Sequence, residues 1–92
     1  MSEAKSNELS AKDRELIQPS LDIMRDCGIK MTLFERQEGV FECKWEDIFY
    51  LENQGSRLPG KTVQEAARAA YLCAKNGRIN LGKAELPDCF ST

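Results

Sequence analysis

Ninety-two residues, 41% apolar and 30% charged, are enough for one globular domain and too few for two, and they leave little room for an enclosed substrate cavity. No apolar run approaches the roughly 18 residues of a membrane helix, and the polar start MSEAKSNELSAKD lacks the apolar centre of an export signal, so a soluble cytoplasmic protein is expected. The net charge of −2 is uneven: residues 1–28 carry −2, residues 29–55 carry −3 and residues 56–92 carry +3, which argues against general coating of nucleic acid and permits a local basic patch.

Residues 1–8 read as a disordered tail, residues 9–82 as a single α+β domain and residues 83–92 as a C-terminal tail. Ser10 is a good N-cap, with Asp13 three positions on, and predicts a helix from about Ala11 to Cys27. Leu16, Ile17, Leu21, Met24 and Cys27 form its apolar stripe. Pro19 costs a hydrogen bond and predicts a kink or break near Gln18. Gly28 is placed to end the helix in the left-handed region.

Two alternating runs follow. Ile29, Met31 and Leu33 alternate with Lys30 and Thr32; Phe41, Cys43 and Trp45 alternate with Val40, Glu42, Lys44 and Glu46. Period-two alternation predicts two strands, each with one buried face, joined by a short turn over residues 36–39 with Gly39 at positive φ. Ile48-Phe49-Tyr50-Leu51 reads as a third strand. ENQGSRLPGK, residues 52–61, reads as a loop by composition. Thr62 and Glu65 make a capping box for an alanine-rich second helix that is expected to end at Asn76-Gly77, with residues 78–81 as a short edge strand. The fold class is therefore α+β: an antiparallel sheet of three to four strands with two helices packed on one face. The expected core is Leu16, Ile17, Leu21, Met24, Met31, Leu33, Phe41, Cys43, Trp45, Ala66, Ala70 and Ala74.

On the second helix, Val63, Ala66, Ala67, Ala70 and Ala74 gather on one side at about 100° per residue. Gln64, Arg68, Tyr71 and Lys75 gather on the other, a basic stripe with one aromatic. Arg and Tyr are enriched at binding hot spots. Together with Arg57, Lys61 and Arg78 these residues form the expected partner-binding set.

Residues 55–62, GSRLPGKT, fit the pattern G-x-x-x-x-G-K-[ST] that cradles phosphate in nucleotide hydrolases. That cradle belongs to parallel βαβ architecture. This chain offers one strand–helix step and no later strand ending in a metal-binding aspartate, so the reading is rejected in favour of a loop leading into the Thr62 cap, where the helix start can still attract an anion. No histidine is present, which removes Ser-His and Cys-His nucleophile arrangements. The four cysteines, at 27, 43, 73 and 89, form no close pairs, so neither a zinc site nor a disulfide scaffold is expected. Cys27, Cys43 and Cys73 read as small buried hydrophobes. Glu35, Glu38, Glu42 and Glu46 read as solvent-side. Phe34, on the parity opposite Met31 and Leu33, is the best exposed candidate for stacking a nucleic-acid base. No catalytic residue, no cofactor and no small-molecule substrate is expected.

GKTVQEAARAA over residues 60–70 resembles the T-x-x-E-A-x-x-A-A helix start common in small phage-encoded α+β proteins, and the whole chain, in length and in its order of helix, hairpin, third strand and alanine-rich helix, resembles a phage-encoded anti-CRISPR protein of the kind that inhibits the type I-F surveillance complex (the Csy complex, or Cascade). The resemblance covers residues 9–82. It implies a stoichiometric inhibitor in the cytoplasm of the infected bacterial host, with Cas proteins as partners, that keeps target DNA from the crRNA-guided complex. The basic last third departs from the acidic DNA mimics of that group and favours wedging between Cas subunits, with basic residues meeting the crRNA backbone. The alternative from a different class is a small nucleic-acid-binding or regulatory phage protein that uses the basic C-terminal surface.

Overall fold

Ser10 starts the first helix as its pattern requires: the extended Ser10 turns its hydroxyl to accept the Asp13 N–H at 3.2 Å. In the computed structural model, which describes residues 9–83, 86–88 and 90, helix α1 (Ala11–Asp26) leads into strands β1 (Ile29–Gln37), β2 (Val40–Asp47) and β3 (Gln54–Gly60), then helix α2 (Val63–Asn80). The expected tail at residues 1–8 lies outside the described residues. The sheet has the order β1-β2-β3, antiparallel throughout. This is an α+β fold with two helices and a three-stranded sheet.

Helix α1 runs through Pro19 without a break. Pro19 and Glu15, whose carbonyl loses its intrahelical donor, both lie on the exposed side of the helix, where solvent can take over. The stripe buries Ile17 and Met24 but leaves Leu16 outside it, 55% exposed, contrary to the expected core. Cys27 follows as the cap, and Gly28 takes φ +89 as expected. The ring of Phe49 lies where a Gly28 Cβ would stand, so the position excludes a side chain twice over.

The hairpin pairs Ile29 with Asp47, Met31 with Trp45 and Leu33 with Cys43, which sets the apolar residues of both strands on one face. A register shift between Glu35 and Gln37 makes a bulge, and Arg36 there forms a 2.7 Å ion pair with Glu42. Glu42 is therefore buried and not solvent-side.

The third strand is where sequence and structure part. Residues 48–51 are not a strand: they form the turn that joins β2 to β3, and Ile48, Phe49 and Leu51 are more than half exposed. The strand is the stretch read as a loop, Gln54–Gly60. Edge strands draw their hydrogen bonds from a single neighbour, and Pro59 is tolerated there.

Helix α2 begins at the capping box: Thr62 Oγ1 accepts the Glu65 N–H at 3.1 Å, and Glu65 accepts the Lys61 N–H at 2.9 Å. It does not stop at Gly77 but runs to Asn80, so residues 78–80 are helix and not an edge strand. Gly77 serves approach and not termination: a Cβ there would land on the amide of Asn53. Val63, Ala66, Ala67, Ala70, Tyr71 and Ala74 join Ile17, Met24, Ile29, Leu33, Phe41 and Cys43 in one core. Leu86 and Phe90, from the stretch read as a tail, are buried in that core too. Leu21, Met31 and Trp45 pack against it only partly buried. Cys43 is fully buried, while Cys27 and Cys73 are half-buried; all three are free thiols. Burial, and then the Glu42 carboxylate beside it, pushes the Cys43 thiol up to about 12.

Beneath α2 lies one polar cluster. Arg78 donates from Nε to Asp47 Oδ2 at 2.7 Å and from Nη2 to Asp47 Oδ1 at 3.1 Å and to the Cys27 carbonyl at 2.6 Å. Asn53 donates to Asp47 Oδ2 at 3.1 Å and to the Ala74 carbonyl at 3.0 Å, and its own oxygen accepts Trp45 Nε1–H at 3.3 Å. Asp47 also accepts the backbone N–H groups of Phe49 and Tyr50 at 3.0 and 3.2 Å. Burial would raise the Asp47 carboxyl, but the hydrogen bonds from Arg78, Asn53 and the Phe49 amide outweigh it and hold the group below its ordinary range.

Two outcomes are expected. Gly77→Ala gains about 1 kcal/mol of helix propensity, yet it displaces Asn53; urea unfolding should show a net loss of stability. Because the Asp47 carboxyl is depressed in the folded state, its contribution is complete above the unfolded value and fades as pH falls through the folded one. The stability gap between the native chain and Asp47→Asn should thus be widest near neutrality and narrow below about pH 4.

Candidate interaction surface

The expected binding set is carried by β3, Lys61 after it and helix α2. Arg57 is exposed on β3 in register with Cys43. Lys61, Gln64 and Arg68 are exposed at and after the helix start. Lys75, two turns on from Arg68, is half-buried. Arg57, Lys61, Gln64 and Arg68 are fully on the surface, and Lys75 is partly so.

Tyr71 and Arg78 do not belong with them. Tyr71 is 1% exposed, and its ring centroid is 5.6 Å from that of Phe90. Arg78 is 8% exposed and held by Asp47. Both sit at the border of the buried stripe, following Ala67 and Ala74 at steps of four, three and four residues, a spacing that keeps them on one side of the helix. Alanine neighbours leave room for a long side chain to swing inward, and buried Asp47 supplies the counter-charge that draws Arg78 in. The exposed side of α2 is also less polar than its cations imply: Leu72 and Ile79 are 40% and 44% exposed there.

The GSRLPGKT run makes no phosphate cradle. Its first six residues are β3, paired antiparallel to β2, and Thr62 spends its hydroxyl on the helix cap. Among the described residues no three Cys, Asp or Glu side chains gather to hold a metal ion, and no helix is long and apolar enough to cross a membrane. Phe34, the expected stacking residue, is half-buried with the Lys44 ammonium 5.5 Å from its ring centroid. One face of that ring is thereby occupied by a cation. The open face of the sheet forms a groove of about 430 Å³ beside Lys30, Thr32, Lys44 and Ser56.

Sequence reading missed the turn at residues 48–51 as a surface feature. Its signal was the frame around it: Asp47 on one side and Asn53 on the other are turn-forming residues, and the four apolar residues between them show no alternation. No protein-family model matches this chain, and no curated protein or solved structure shows significant similarity to it.

The split of the predicted set gives a direct test. Arg78→Glu sets two carboxylates against each other in a buried site and should cost about 3–5 kcal/mol, enough to unfold much of the protein. Arg68→Glu, on the exposed side, should shift stability by no more than about 0.5 kcal/mol. Circular dichroism thermal melts of the two variants distinguish them.

Proposed function

We propose that this chain is a stoichiometric phage inhibitor of the type I-F CRISPR–Cas surveillance complex, which it binds through its surface so as to obstruct target DNA recognition. The observation that carries the reading is that Arg57 on β3, Lys61 just before α2, and Gln64 and Arg68 on the first turns of α2 are all exposed. Exposed cations on β3 and the first turns of α2, with an amide beside them, suit an acidic protein surface or the phosphates of a guide RNA. The choice of partner rests on the resemblance of the chain's length and element order to that group of inhibitors. The open grooves on the sheet face and between α1 and β1 suit a protein that works by covering a partner. Leu72 and Ile79 add apolar contact on the same helix.

The test is a gel-shift or native-mass titration against the purified type I-F complex at micromolar protein. The native chain should bind one-to-one or in another fixed ratio and stop target DNA from binding. The triple variant Arg57→Glu, Lys61→Glu, Arg68→Glu should fold normally and lose binding by roughly tenfold or more, since rim charges act jointly on association rate and complementarity. No association of the native chain would sink this reading. A shift of free RNA or DNA with steep salt dependence would instead favour the nucleic-acid-binding alternative.

A further inference from the structure

We draw no further inference here: the strongest candidate, the exposed apolar turn formed by Ile48, Phe49 and Leu51 between β2 and β3, is an apolar patch on the surface, and nothing in the structure shows what covers it.

Discussion

The buried carboxylate of Asp47 is the point on which the other elements depend. It ends β2, and it accepts from a side chain of α2, from the amide of Asn53 just before β3, and from two backbone N–H groups of the intervening turn. Through Arg78 the same cluster reaches the carbonyl of Cys27 at the end of α1. An unpaired carboxylate here would carry a large desolvation cost. With every partner present the cluster is satisfied, and it can be satisfied in one arrangement of the elements. The alanine face of α2 is smooth and would tolerate sliding; the Arg78 fork and the Asn53 bond to the Ala74 carbonyl specify its position.

That constraint also shapes the surface. Because Asp47 spends part of its capacity on the Phe49 and Tyr50 amides, residues 48–51 form a turn when their composition favours a strand, and Ile48, Phe49 and Leu51 face outward. Because Arg78 is drawn inward, the cations left outside shift towards the start of α2, around Arg57, Lys61 and Arg68. The molecule thus presents two unlike surfaces, the cations on β3 and the first turns of α2, and the apolar turn between β2 and β3.

Much of the fold was legible locally. Ser10 and Thr62 cap the helices they were expected to cap, Gly28 and Gly39 take the positive φ values their places demanded, and the hairpin pairs its alternating faces. The errors share a cause. Residues 48–51 look like a strand and residues 54–60 like a loop because propensity scores side chains, whereas edge pairing is made by backbone groups and closed by a neighbouring strand. Gly77 looks like a helix stop because glycine usually is one; here Asn53, far away in sequence, occupies the space beside it. Of the candidate site, the exposed cations of β3 and α2 were legible from charge, while Tyr71 and Arg78 were misplaced because border positions on a helix resolve only against what they face.

The sequence by itself determined the α+β class, the two caps, the hairpin and the uneven charge, since each depends on residues within a few positions of one another. The tertiary structure alone decided which strand completes the sheet, which helix residues face inward and which apolar residues face out. Those choices turn on a buried charge at position 47 meeting a guanidinium 31 residues away, and no local pattern records an attraction that exists only once the chain has brought the two together.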